Sequence, residues 1–231
     1  GTGGDSAPDP APQPTTPGAS VLHDGTVTLP SGETVSLDVD NADVSQLAVL
    51  TDGRIVLAMQ RPYAVRVYSP DGALEATYRV QSNAITASAR DDAVAWVGKD
   101  FSVQVLASGV AEPTRLPGIP MPGESAGSID AVLDAEHLLV GDWNTTTGEL
   151  TPDGVQELTP GEPLRVTDVN REGDLWAVQY ADESDPQFGC AGLYDPQAEQ
   201  LVARNCDTAA LQFSPDGKHL LGGFFDNNMA G

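Results

Sequence analysis

Leu47-Ala-Val-Leu-Thr-Asp-Gly-Arg-Ile-Val-Leu-Ala58 decides the architecture of this chain. The run Leu47 to Leu50 leads into Thr51-Asp52-Gly53, where Asp can bond its own backbone and Gly supplies the positive φ of a tight turn. An unbroken apolar run follows, which reads as a strand buried on both faces. The same unit recurs in Ile85 to Val97 around Asp91-Asp92, Ile129 to Val140 around Asp134-Ala-Glu136, Val166 to Val178 around Arg171-Glu-Gly173, and Leu211 to Phe224 around Ser214-Pro-Asp-Gly217. The first buried position after each turn is Ile55, Val94, Leu138, Leu175 and Leu220, at steps of 39, 44, 37 and 45 residues.

A second series of turns falls between these units. Ser69-Pro-Asp-Gly72, Ser108-Gly109, Thr151-Pro-Asp-Gly154 and Asp195-Pro-Gln197 follow one another at steps of 39, 43 and 44 residues. Two turn series on one period define a repeat of about 40 residues with four short strands. In the first copy these strands are 44–50, 55–59, 64–68 and 74–78. Val44 to Leu50 and Ala198 to Arg204 are the best helical candidates, but both are short and flanked by turn signals. The expected fold is therefore all-β, a β-propeller of four-stranded antiparallel blades.

Full blades occupy 44–78, 85–116, 129–158 and 166–205, and partial units occupy 21–37 and 209–225. The partial units either combine to close a five-bladed ring, or the chain is a fragment of a six- to eight-bladed one. The fragment is favoured, because Asn227-Asn-Met-Ala-Gly231 reads as an arbitrary stop and an open ring leaves an exposed edge. Trp96 and Trp176 fall at near-equivalent places of their second strands and are read as core.

The copy Leu211-Gln-Phe-Ser-Pro-Asp-Gly-Lys-His-Leu-Leu221 resembles the repeat motif of TolB-type and WD-repeat-like propellers, in which such a turn joins the first two strands. Val67-Tyr-Ser-Pro-Asp-Gly72 and Leu193-Tyr-Asp-Pro196 resemble the later turn of that repeat. The resemblance extends over 44–225 as a period and is close in the last copy alone. No Gly-His pair opens a unit and no Trp-Asp pair closes a strand, so the side-chain network of true WD repeats is not expected.

The chain of 231 residues carries 11 basic and 34 acidic side chains, a formal charge of −23. Nucleic-acid binding needs clustered Lys and Arg and is excluded as an expectation, and anionic lipid would repel such a surface. Residues 1–20 contain no Val, Ile, Leu, Met or aromatic side chain, and Pro8, Pro10, Pro12, Pro14 and Pro17 favour extended conformers there. This stretch reads as a disordered stalk ahead of a folded domain at 21–231. A stalk separates a domain from something, and an anchor upstream of Gly1 is the expected one. Two lysines against nine arginines, with abundant Ala, Gly and Asp, suggest a high-GC bacterium.

Cys190 and Cys206 lie sixteen positions apart on either side of the Asp195-Pro-Gln197 turn. A hairpin centred on Pro196-Gln197 sets Cys190 opposite residue 203, so a bulge or a longer loop is needed to bring the two thiols together. A disulfide there would staple the outer hairpin of one blade and, with the stalk, points to an oxidising, extracytoplasmic setting. Two separate buried thiols or a redox or metal role are the alternatives.

The chemistry-bearing residues are sparse. His137 and His219 start equivalent inner strands and are read, with His23, as structural. Asp38-Val-Asp-Asn-Ala-Asp43 alternates like a calcium loop but lacks its central Gly and terminal Glu, and is read as a blade connection. No cofactor and no metal are expected. The loops leaving the second strands share a pattern: Gln60-Arg-Pro-Tyr63, Gly98-Lys-Asp-Phe101, Gly141-Asp-Trp-Asn144, Tyr180-Ala-Asp-Glu-Ser-Asp185 and Phe225-Asp-Asn-Asn228. In a propeller these lie on one face around the channel mouth, so Arg61, Tyr63, Asp100, Phe101, Asp142, Trp143, Asn144, Asp182 and Asp226 are the candidate binding residues. Aromatic anchors beside a polar rim suit a protein or cell-envelope partner. The alternative for the aspartates is that they solvate turns. The expected function is an extracytoplasmic binding module without chemistry of its own. A propeller hydrolase or lyase using acidic residues on this face, or a sensor or spacer domain of a membrane-anchored protein, are the alternatives.

Overall fold

A computed structural model describes residues 19–119, 127–142, 145–158, 164–182, 185–206, 209–214 and 216–223; most of the Pro-rich segment lies outside them. The described residues form 21 strands in six antiparallel sheets, with a single 3-10 turn at Asn41–Asp43. That turn is where Asp38-Val-Asp-Asn-Ala-Asp43 sits: the Asp40 carboxylate accepts the Ala42 N–H, and Asn41 Oδ1 accepts the Gly25 N–H. It is a capped connection between sheets.

Four sheets are blades, each with its strands hydrogen-bonded in chain order. The first holds β4 (Val44–Val49), β5 (Ile55–Gln60), β6 (Tyr63–Tyr68) and β7 (Leu74–Arg79). The second holds β8 (Thr86–Ala87), β9 (Ala93–Val97), β10 (Ser102–Ala107) and β11 (Thr114–Gly118). The third holds β12 (Ser128–Val132), β13 (Leu138–Gly141), β14 (Thr146–Thr151) and β15 (Gly154–Glu157). The fourth holds β16 (Leu164–Val169), β17 (Trp176–Asp182), β18 (Asp185–Asp195) and β19 (Gln200–Asn205). Two smaller sheets flank them: β1 (Val21–His23), β2 (Thr26–Thr28) and β3 (Thr34–Ser36) before, and β20 (Ala209–Phe213) with β21 (Leu220–Gly223) after. The chain is an all-β protein of propeller blades. Among the described residues the two flanking sheets share no strand pairing, so they do not merge into one closing blade.

Alternation along the second strands explains how the blades stack. Successive side chains of a strand point to opposite faces, and β5, β9 and β13 bury nearly every residue. Val94 and Trp96 face blade 1, packing with Val56, Ala58, Val65 and Val67. Ala93 and Ala95 face blade 3, packing with Val132, Leu138, Val140 and Leu150. Ala131 and Leu139 meet Val166, Trp176 and Val178 of blade 4. Each second strand thus serves two cores at once, and each buried Val or Leu contributes about 1.5–3 kcal/mol. Trp96 and Trp176 are 1% and 6% exposed, core residues as their positions imply. The flanking sheets cover the ends of the stack: Val27 and Leu37 pack on Ile55 and Leu57, and Phe213 and Leu220 on Ala177 and Ala191.

Cys190 and Cys206 form a disulfide. The turn between β18 and β19 is longer than a two-residue hairpin, with Asp195 opposite Gln200, and a bulge at Leu193/Tyr194 shifts the register once more. Ala191 then faces Asn205, so the two cysteines become cross-strand neighbours. Loop length and bulge together supply the three-residue offset. Closing a loop of this size contributes roughly 3 kcal/mol through the unfolded chain.

Candidate functional site

The two ends of the blades present different chemistry. At one end lie the turns that leave the second strands, where the sequence places its candidates. Tyr63 opens β6 and is 53% exposed, and Arg61 beside it is exposed too. Phe101 holds the equivalent place in blade 2, 50% exposed and at φ +65. Its N–H donates to the Gly98 carbonyl (2.9 Å), and the Gly98 N–H to the Ser102 carbonyl (2.8 Å), so a closed turn fixes the ring's outward position. Both aromatics stand at corresponding ends of adjacent blades, carried by strands with fully buried neighbours.

The aspartates of this end serve their own turns. Asp100 Oδ1 accepts the Ser102 hydroxyl (2.7 Å) and N–H (3.2 Å), and Oδ2 pairs with Arg115 of the fourth strand (2.6 Å). The Ser102 hydrogen bonds, chiefly, hold its carboxyl below the usual aspartate value. Asp142 Oδ1 accepts the Thr145 N–H (2.7 Å). Nearby on β12, Asp130 accepts the Ser128 and Thr146 hydroxyls, each at 2.7 Å. Burial, and then the charge of Asp142, push the Asp130 carboxyl up. Asp182 ends β17, while Trp143, Asn144 and Asp226 lie outside the described residues. The structure therefore places Arg61, Tyr63, Asp100, Phe101, Asp142 and Asp182 at the same end of successive blades.

At the opposite end, the turns between first and second strands surround a cavity of about 480 Å³. Its wall comes from blades 1, 2 and 4, the β20–β21 hairpin and the N-terminal segment, with Leu47 to Thr51, Ala87 to Ala89, Asp91, Asp168, Arg171 and Phe213 among its lining. The first strands meet there because neighbouring blades run parallel at the axis, as the Ser88–Val132 bridge records. Three ionisable side chains line this cavity: Asp91, Asp168 and Arg171. Asp168 accepts the Val169 N–H (2.8 Å) and, across the blade boundary, the Phe213 N–H (2.7 Å). Burial raises its carboxyl pKa against those bonds. None of the candidates read from the sequence lines the cavity.

The turn end is also laced between blades. Arg54, 8% exposed, pairs with Asp52 (2.7 Å) and donates to the Val110 and Ala107 carbonyls of blade 2 at 2.8 and 2.7 Å. Asp52 also accepts the Gly109 N–H (2.7 Å). Arg90 pairs with Asp92 (3.0 Å) and donates to the Leu133 carbonyl of blade 3 (2.9 Å). His137 and His219 belong to this end as well, and what they share is a backbone role: the His137 N–H closes its turn on Asp134 Oδ1 and the His219 N–H on the Ser214 hydroxyl, each at 3.0 Å. The His137 ring pairs with Asp134 at 2.9 Å, which raises the imidazole pKa. Sequence reading missed the cavity because Asp91 and Arg171 are 80 residues apart; aligning the turns would have exposed one signal, an Asp at 91 where three other copies have Gly. Among the described residues no helix is long and apolar enough to cross a membrane, and no protein-family model and no curated relative matches this chain.

Proposed function

We propose that this chain is an extracytoplasmic binding module of the TolB-like or WD-like propeller type, anchored to a membrane through sequence upstream of Gly1, and that it recognises a protein or cell-envelope component. The recognition surface is the end where the second strands hand over to the third. One observation carries this reading: Tyr63 and Phe101, each about half exposed, occupy the same position in adjacent blades, on turns closed by the Gln60–Tyr63 ladder pair and by the Phe101 N–H on Gly98. Half-exposed rings on a rigid frame supply contact area at little ordering cost, which is why aromatics dominate interface hot spots. The disulfide between Cys190 and Cys206 supports an oxidising compartment.

Site-specific photo-crosslinking tests the surface. With the photoreactive residue at Tyr63 or Phe101, envelope extract is expected to give one shared crosslinked species. The same residue at Val202, exposed on the fourth strand of blade 4, is expected to give none. Equal crosslinking at all three positions, or none at 63 and 101, overturns the assignment.

A further inference from the structure

In four of the units the turn between first and second strands reaches one left-handed residue at a fixed place. In blades 1 and 4 and in the β20–β21 hairpin it is Gly53 (φ +86), Gly173 (φ +80) and Gly217 (φ +68). Each donates its N–H three residues back, to Leu50, Asn170 and Ser214. Blade 2 makes the same turn, Asp91 N–H to the Ser88 carbonyl, but with an aspartate at φ +57. Glycine takes this conformation without steric penalty, and aspartate is among the few residues with a Cβ that enter it. Blade 2 thereby carries an acidic side chain where the three glycine turns carry none.

That side chain lines the 480 Å³ cavity. Its backbone is held from two blades, since its carbonyl accepts the Thr51 N–H (2.8 Å) while its N–H bonds Ser88 (3.0 Å). Its carboxylate is exposed and has no hydrogen-bond partner among the described residues. Arg171, from blade 4, lines the same cavity, and its charge acts on Asp91 without a salt bridge forming between them. Asp168, the third charge, is already satisfied by two backbone N–H groups. The cavity thus offers one exposed anion and one exposed cation, neither tied to a protein partner among the described residues, beside apolar walls from Leu47, Val49 and Phe213. Its volume is within the range of small-molecule sites, roughly 300–1,000 Å³.

We propose that this cavity binds a compact zwitterion of the amino-acid class, with its ammonium at Asp91, its carboxylate at Arg171 and its apolar side chain on Leu47, Val49 and Phe213. The site is separate from the recognition surface of Tyr63 and Phe101 and stands or falls without it. Isothermal titration of the protein with leucine, phenylalanine, leucinamide and 4-methylpentanoate reads the two charges one at a time. Leucine or phenylalanine is expected to bind, and each single-charge analogue at least about tenfold more weakly than leucine. Asp91→Gly restores the residue used by the turns of blades 1 and 4 and the β20–β21 hairpin, so its melting temperature is expected to equal or exceed that of the parent while leucine affinity falls at least about tenfold. Asp91→Asn keeps the side-chain volume and is expected to lose leucine and leucinamide but not 4-methylpentanoate. Arg171→Gln is expected to lose leucine and 4-methylpentanoate but not leucinamide. Absence of heat from both amino acids at about 10 mM, or leucine affinity unchanged in Asp91→Gly and Arg171→Gln, overturns the proposal.

Discussion

The blade-spanning side chains of the turn end and the aspartates Asp100 and Asp142 of the loop end serve opposite purposes. At the turn end they reach across blade boundaries: Arg54 to Ala107 and Val110, Arg90 to Leu133, Asp168 to Phe213. At the loop end Asp100 spends its oxygens on Ser102 and Arg115 of its own blade, and Asp142 bonds its own turn through Thr145. The difference is one of constraint. A residue that ties two blades is committed to the packing of both, whereas a loop that closes on itself can change its tip without disturbing a neighbour. Recognition surfaces tolerate change for this reason, and the exposed Phe101 stands on the self-closed turn that carries Asp100.

The largest expected effect breaks a tie between blades. Arg54→Ala removes the Asp52 partner and two carbonyl bonds from a nearly buried site, at a cost of about 3 kcal/mol, or roughly 6–12 °C in a thermal melt. A drop no larger than that of a surface substitution would erase the contrast between the ends. Asp100→Ala sharpens it from the other side. Its turn is exposed and its bonds are local, so the melting temperature is expected to stay within about 2 °C. The smallest effect is one of pH. Burial opposes ionisation of Asp52, but the Arg54 hydrogen bond and the Gly109 and Arg54 N–H groups outweigh it and hold its pKa below the usual value. The unfolded chain therefore binds that proton more readily, and the stability from this pair is present above the ordinary aspartate pKa and is lost as pH falls through the lowered one. The stability gap between parent and Arg54→Ala is expected to shrink as pH drops from about 5 to 3. Denaturant melts across that range check it, and a constant gap refutes the pairing.

Much of the frame was legible because turns carry their own chemistry. Thr51-Asp52-Gly53 and Ser69-Pro-Asp-Gly72 mark the ends of blade 1 strands to within a residue of β4 to β7. The disulfide was legible as a choice, and a bulge decided it. Blade 2 departs from expectation in its first strand, where β8 is only Thr86–Ala87. Ser88 ends it early: its hydroxyl donates to Asp92 (2.6 Å) and accepts the Asp92 and Ala93 N–H groups (3.1 Å each), closing the turn in place of further ladder bonds. The aromatic positions Tyr63 and Phe101 could be read as exposed because they break buried runs. The cavity could not, because its walls come from positions that only the stacking of blades brings together. Arg54 was equally hidden: a cation between Gly53 and Ile55 looks like a solvated strand start, and its carbonyl partners lie more than 50 residues away.

The Cys190–Cys206 bridge has a consequence for proteolysis. The turn it encloses, at Gln197, Ala198 and Glu199, is exposed, with Glu199 at φ +51, and is the kind of loop tip that proteases cut. Cleavage there would leave both fragments covalently joined, and β19 would stay paired along β18. A nicked molecule would therefore run as intact chain on a non-reducing gel and split only with reductant, so the blade can survive a cut in its outermost hairpin without losing a strand.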